Sequence, residues 1–269
     1  YEMFQELELP ETWIPELLET ANEAGVDWFV SVADEPSLQT ALEHDVPFLK
    51  LASEDLINVD LLQTVSDVDV PIIVSRGMAD EAEIENALSI LSPVDTPELI
   101  LLHCVSCYPA PIEEMNLRHI EMLRQKFGCL VGLSDHTKGT TAGIAAVTLG
   151  APVIEKHFTM DRSLPGPDQS MSTPPEKFQE FVQRIRETEK ALGDPEITYA
   201  DCESDKRVRF RRGIVAARDI ESGEIIAEED IANCRPCEHL KPYQKQKILD
   251  KEATKSIPAN EPIQEEYLD

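Results

Sequence analysis

Short apolar runs rich in Val, Ile and Leu alternate with longer amphipathic stretches over residues 1–193, and this alternation limits the folds open to the chain more than any other feature. Six such runs can be read, at 28–33, 47–53, 71–75, 99–105, 129–133 and 152–158. Between them apolar residues recur at helical spacing: Ile14, Leu17, Leu18 and Ala21 share a face, as do Ile84, Ala87, Leu88 and Leu91, and Phe178, Phe181, Val182 and Ile185. A strand that is apolar along its whole length is covered on both faces, so the pattern predicts a parallel sheet under helices, either open or closed into a barrel. No Gly-x-Gly-x-x-Gly follows the first run, and several runs end in Ser, Lys, His or Glu. Both facts favour a barrel, whose chemistry collects at the C-terminal strand ends. The expected fold is an α/β (β/α)8 TIM barrel. Eight strands are needed and six are legible, so about two N-terminal βα units are expected to lie upstream of Tyr1.

Past Gly193 the alternation stops. Residues 194–207 are polar and charged and read as a linker, and residues 208–269 read as a small β-rich domain. Ile220-Glu-Ser-Gly-Glu-Ile-Ile226 has an apolar run on each side of a Ser-Gly turn, which predicts a hairpin. Glu228 to Ile231 predicts a short helical turn.

The chain carries 52 acidic and 24 basic residues, a net charge of -28 spread along its length. Such a surface repels phosphate backbones and anionic headgroups, so neither nucleic acid nor membrane is an expected partner. Uniform acidity also suits a high-salt cytoplasm, where screening removes most self-repulsion. No run of 18 apolar residues is present, and a cytoplasmic location is expected. The six cysteines include two Cys-x-x-Cys pairs, Cys104/Cys107 and Cys234/Cys237, about 130 residues apart. That is far from a zinc-ribbon spacing, and the pairs read as unconnected thiols.

The strand ends hold the candidate site residues: Ser31; Lys50 with Ser53; Ser75; Ser106 with Tyr108; Ser134 with Asp135 and His136; Glu155 with His157. Hydroxyls around one lysine suit a phosphate plus a carboxylate, which need a positive charge and several donors. His136 and His157 end consecutive strands, so both rings can enter one mouth and share a divalent ion of the Mn, Fe or Zn kind. Such an ion polarises an aldehyde as a Lewis acid. Strand alternation puts Glu155 and His157 on one face and Lys156 on the other, where a salt bridge behind the wall is expected. The loop from Asp161 to Asp168 contains Pro165-Gly-Pro167, which stiffens it and can hold Asp168 over the mouth.

His103-Cys-Val-Ser-Cys-Tyr-Pro-Ala-Pro111, Gly132-Leu-Ser-Asp-His-Thr137, Glu155-Lys-His-Phe-Thr-Met-Asp-Arg162 and Pro165-Gly-Pro-Asp168 resemble the N-acetylneuraminate (sialic acid) synthase family. That family also includes legionaminic and pseudaminic acid synthases and spore-coat polysaccharide enzymes. The resemblance implies an eightfold barrel followed by an antifreeze-like (SAF) domain, assembled as a domain-swapped homodimer. It implies condensation of phosphoenolpyruvate with an open-chain N-acylated hexosamine such as N-acetylmannosamine, with phosphate leaving by carbon–oxygen cleavage. By the same resemblance His136 and His157 bind a divalent metal, Mn2+ or Mg2+. Ser31, Lys50, Ser53, Ser75, Ser106, Tyr108 and Ser134 surround phosphoenolpyruvate, and Asp55 and Asp168 face the sugar. Lys50, Asp55 and Asp168 form the expected catalytic set. Arg235 is expected to reach the partner's site and recognise the N-acyl group.

The chain departs from the family pattern at several points. Asp55 stands where glutamate is usual, Val30-Ser-Val-Ala-Asp34 replaces Ser-Thr-Pro-Phe-Asp, and Ser75-Arg-Gly-Met78 replaces Ser-Thr-Gly-Met. Arg76 is expected to add a bulky cation near the phosphate site. Cys237 takes the place of a glycine after Arg235-Pro236. With family residues of the first two strands expected upstream of Tyr1, the chain as it stands is expected not to turn over. A domain swap would also bring Cys234 and Cys237 towards the partner's Cys104 and Cys107. Two other readings are a related phosphoenolpyruvate-condensing barrel acting on a phosphorylated sugar, and a non-catalytic homologue.

Overall fold

The computed structural model describes residues 8–91 and 99–269. The chain divides into two compact units, residues 1–193 and 194–269.

The first unit is an α/β fold on a five-stranded parallel half-barrel sheet, β1 Leu49–Leu51, β2 Ile72–Ser75, β3 Leu99–Cys104, β4 Leu130–Asp135 and β5 Ile154–Lys156, laid side by side in chain order. Each neighbouring pair is parallel. Helices α1 Ile14–Ala24, α2 Glu35–Glu43, α3 Val59–Ser66, α4 Glu81–Leu91, α5 His119–Phe127, α6 Thr141–Thr148 and α7 Pro175–Leu192 make up the rest. Their ends follow local chemistry. Asp34 caps α2 through the Ser37 amide while Ser37 Oγ accepts from the Asp34 amide. Asp80 and Glu83 make the same reciprocal exchange at the start of α4. Gly25 and Gly128 close α1 and α5 in the left-handed conformation. The core lies between sheet and helices, with Leu49, Leu51, Leu56, Leu62, Leu101 and Leu133 at 0% exposure. Burying such a side chain is worth about 1.5–3 kcal/mol each.

Five of the six apolar runs are strands. The first, 28–33, contributes only a parallel bridge between Ser31 and Lys50 and a 2.9 Å bond from the Val32 amide to the Lys50 carbonyl. Among the described residues it pairs on one side alone, and so lacks the double ladder that makes an extended run regular.

In the second unit, β6 Gly213–Ala216 and β7 Ile231–Cys234 pair antiparallel. Ile214, Ala216, Ile220, Ile226, Leu240, Ile248, Ile257 and Ile263 form its core. The expected hairpin at 220–226 is not formed. The chain does turn there, with Gly223 at φ 92° and the Glu224 amide bonded to the Glu221 carbonyl. Both arms, however, pair with the segment 250–257 and not with each other: Ile220 bridges Ile257, and Ile225 bridges Glu252. Glu228–Asp230 is the expected helical turn. Residues 194–207, expected as a plain linker, include the turn Asp201–Glu203 and the start of a short helix α8 Ser204–Arg209.

Candidate active site

The C-terminal ends of β1 to β5 and the turns that follow them gather one continuous polar cluster. Lys50 is 5% exposed; its Nζ donates to the Ser75 hydroxyl at 3.0 Å and the Leu51 carbonyl at 2.9 Å, and lies 3.6 Å from Glu155 Oε2. The other Glu155 oxygen, Oε1, accepts the Ser134 hydroxyl proton at 2.5 Å. Thus β1, β2, β4 and β5 meet through a lysine, two serines and a glutamate. Ser53 and Ser106 are brought together by Gly77, whose added Cβ would stand 2.3 Å from Ser53 Cβ and 2.6 Å from Ser106 Oγ. Gly77 also has φ +33°, which a side chain tolerates poorly.

The two histidines stand at the next position outward. Their ring centroids are 5.2 Å apart and their planes 68° apart. His136 Nδ1 donates to the Val105 carbonyl at 2.9 Å. That nitrogen therefore keeps its proton in either charge state, and Nε2, 3.4 Å from Ser134 Oγ, is the one open to a proton or a cation. The single Ser134 hydroxyl proton already goes to Glu155, so nothing there donates to His136 Nε2. Burial opposes a charge on His136, but the Cys104 thiol at 3.8 Å, the Val105 carbonyl and Glu155 outweigh it and raise its pKa. The same contact lowers the Cys104 thiol against the effect of burial. His157 has Asp168 Oδ2 3.8 Å from Nδ1, and its pKa is lowered by burial and by His136. Tyr108 lies over His136 at 4.3 Å and beside His157 at 5.7 Å, and burial with nearby Cys104, Glu54, Asp168 and Glu155 pushes its phenol up to about 12. It therefore remains a donor at any physiological pH.

Asp168 ends its loop on a firm backbone: its carbonyl accepts from the Met171 and Ser172 amides and from the Ser172 hydroxyl. Beyond it, the Thr173 amide closes back onto the His157 carbonyl at 2.8 Å.

Not every expected residue joins this cluster. Asp55 lies in the turn Ser53–Ile57 and interacts with Glu54 and Asn58; burial and Glu54 raise its pKa. Ser31 is exposed at its bridge to Lys50. Arg235 belongs to the second unit, where it is exposed and precedes a cis peptide to Pro236. The expectation for Arg76 is corrected. Its guanidinium turns to the other face of the sheet, bonding His103 Nδ1 and His119 Nδ1 at 3.0 Å and the Ala79 carbonyl at 3.4 Å, because Arg76 follows Ser75 directly past the end of β2, its amide still bonded to the Leu102 carbonyl, and the alternation of the strand carries over to it. Two participants have more to do than sequence reasoning gave them. Glu155 was placed on the His157 face but given no role, and Cys104, read as an ordinary thiol, is 1% exposed and touches Ser53, Ser106 and His136.

The donor chemistry fits a divalent ion held at an open site. Two imidazoles face one mouth, and one of them is locked so that its free nitrogen points inward. Among the described residues no cluster of three or more His, Cys, Asp or Glu side chains makes a closed cage, so the remaining positions would fall to water or substrate.

A parallel half-barrel sheet thus gathers a lysine, several hydroxyls and paired histidines at its C-terminal mouth, the kind of α/β site suited to small anionic substrates. Residues 1–197 match the NeuB family and residues 211–268 match the SAF domain. The chain belongs to the NeuB family. It is 42% identical over 236 residues to an uncharacterized protein of Methanocaldococcus jannaschii, covering 88% of this chain and 70% of that one. It is 37% identical to the N,N'-diacetyllegionaminic acid synthase of Legionella pneumophila, covering 100% of this chain and 77% of the relative. The crystal structure of the N-acetylneuraminic acid (sialic acid) synthetase of Leptospira borgpetersenii with citrate superposes with a TM-score of 0.72 at 35% identity, over 76% of this chain and 72% of that one.

Proposed function

We propose that the chain is a transferase that condenses phosphoenolpyruvate with an N-acylated hexosamine, N-acetylmannosamine or a close relative, to give a nonulosonic acid and phosphate. The observation that carries this reading is the junction of Lys50, Ser75, Glu155 and Ser134 immediately beneath the His136–His157 pair. The lysine cation and the hydroxyls of Ser53, Ser75, Ser106 and Ser134 suit the phosphate and carboxylate of phosphoenolpyruvate. Tyr108 adds a phenol that stays protonated and a ring that covers His136. Glu155 orients the Ser134 hydroxyl and balances Lys50, so that the floor is not uniformly cationic. Asp168, beside His157, is suited to the sugar hydroxyls.

A divalent metal, Mn2+ or Mg2+, held by His136 and His157 would supply Lewis-acid polarisation of the sugar aldehyde. The enol carbon of phosphoenolpyruvate then attacks the aldehyde carbon, water adds to the former enol-ether carbon, and phosphate departs with its bridging oxygen. In this reading the sheet is part of a closed (β/α)8 barrel, the protein works in the cytoplasm, and a domain-swapped homodimer brings Arg235 to the partner's site to meet the N-acyl group.

The test, made on the full-length protein, is phosphate release from phosphoenolpyruvate with Mn2+ and a panel of free and phosphorylated N-acyl hexosamines. Release with the unphosphorylated sugars, abolished in His157→Ala, is expected. Turnover confined to phosphorylated sugars would replace the reading by that of a sugar-phosphate synthase, and no release with any sugar would make the protein a non-catalytic homologue.

A further inference from the structure

Behind the mouth, on the opposite face of β4 and β5, a second polar junction takes no part in the chemistry proposed above. Asp135 and Lys156 are register partners, and their side chains meet at 2.8 Å with exposures of 0% and 3%. Asp135 Oδ1 also accepts from the Thr137 amide at 2.9 Å and from its hydroxyl at 2.7 Å. Lys156 Nζ donates as well to the Thr137 carbonyl at 2.5 Å. Every one of these bonds flanks a histidine of the mouth. Asp135 and Thr137 stand on either side of His136, and Lys156 immediately precedes His157.

Stability alone is a poor reason for this arrangement. Desolvating two charges costs about what their attraction returns, and apolar residues of similar volume commonly do as well. Lys156 also lines a cavity with Ile154, Phe178 and Phe181, apolar neighbours against which a methionine could pack. What the charged pair supplies, and an apolar pair does not, is direction: a knot in which two bonds from Lys156 tie the end of β5 to that of β4, and two from Thr137 to Asp135 brace the backbone around His136.

We infer that Asp135 and Lys156 are positioning residues that set the spacing and orientation of the His136 and His157 rings. The knot holds the backbone on both sides of His136 so that its ring reaches the Val105 carbonyl and turns Nε2 into the mouth. His157 is held on its far side by the Thr173 amide on its carbonyl, and takes its place relative to β4 through Lys156. The role as regards a metal rests on the proposed function; the ordering of the rings does not.

The experiment separates the two. Long-range 1H–15N spectra of the imidazoles in metal-free protein report whether His136 holds a single Nδ1-protonated arrangement. Asp135→Asn removes the charge and keeps the shape, while the double variant D135L/K156M replaces the knot by apolar volume and is expected to fold with an unchanged or higher Tm. In both, the His136 resonances are expected to broaden or average between tautomers, and the Mn2+ dissociation constant to rise by about tenfold or more. A folded double variant whose His136 resonances match those of the wild type overturns the inference whatever the metal does. Wild-type protein that binds no Mn2+ would sink the metal reading, and the ring spectra would still decide the positioning role.

Discussion

His103 is fully buried, donates from Nε2 to the Met115 carbonyl and accepts from Arg76 at Nδ1, and burial with the Arg76 charge pulls its pKa down to about 4. The imidazole must therefore be neutral in the folded protein. Its contribution is complete above the unfolded value of about 6.5 and is lost as pH falls from there towards 4, because the unfolded chain binds the proton more readily. The loss is on the order of 3 kcal/mol. Urea denaturation between pH 7 and 4 is expected to show that decline, and His103→Gln to flatten it; equal slopes in the two proteins would refute the assignment. At the mouth, Glu155→Gln keeps the acceptor for Ser134 and removes the charge facing Lys50. A kcat lower by about 10²-fold or more is expected in the phosphate-release assay. Sequence alone brought Glu155 to the right face but could not show that its two oxygens serve different partners, since that depends on Lys50 arriving from a strand about a hundred residues earlier.

At the scale of elements, β4 and β5 approach so closely that a Cβ on Gly132 would lie 2.5 Å from the Val153 carbonyl oxygen and 2.7 Å from Leu102. A backbone oxygen cannot swing aside, so Gly132→Ala must spread the strands, at a cost of about 1–3 kcal/mol. Thermal unfolding would measure it, and an unshifted Tm would show that the strands have slack. Most of the parallel sheet could be read directly, because apolar runs such as 71–75 and 99–105 are buried on both faces and leave an unmistakable pattern. Where reading failed, the missing information was non-local. The Ser222-Gly223 turn announces a reversal, yet it says nothing of which strand the arms will join, and they joined 250–257. The run 28–33 has strand composition and, among the described residues, one neighbour to pair with. Arg76 was misjudged for a different reason: proximity to Ser75 in sequence was allowed to outweigh the alternation that sends neighbouring side chains to opposite faces, although the same rule correctly sent Lys156 behind the wall.

For the molecule as a whole, a net charge of -28 means that the folded state concentrates repulsion that the unfolded chain dilutes. Raising KCl from 0.1 to 1 M shortens the screening length from about 10 Å to about 3 Å. An upward shift of Tm with KCl is expected, despite weakened surface pairs such as Arg184–Glu180, which are worth little individually. A Tm that falls with salt would mean that the ion pairs outweigh the bulk charge. The packing at Gly77 divides the site into two kinds of territory. Its floor is filled to contact by Ser53 and Ser106, leaving no space into which a new side chain could grow, so descendants of this chain cannot acquire a new preference there without giving up the pocket. The outer lip, where Asp168 stands on a stiffened loop in front of open solvent, carries no such prohibition, and novelty in what the protein accepts has to be written there.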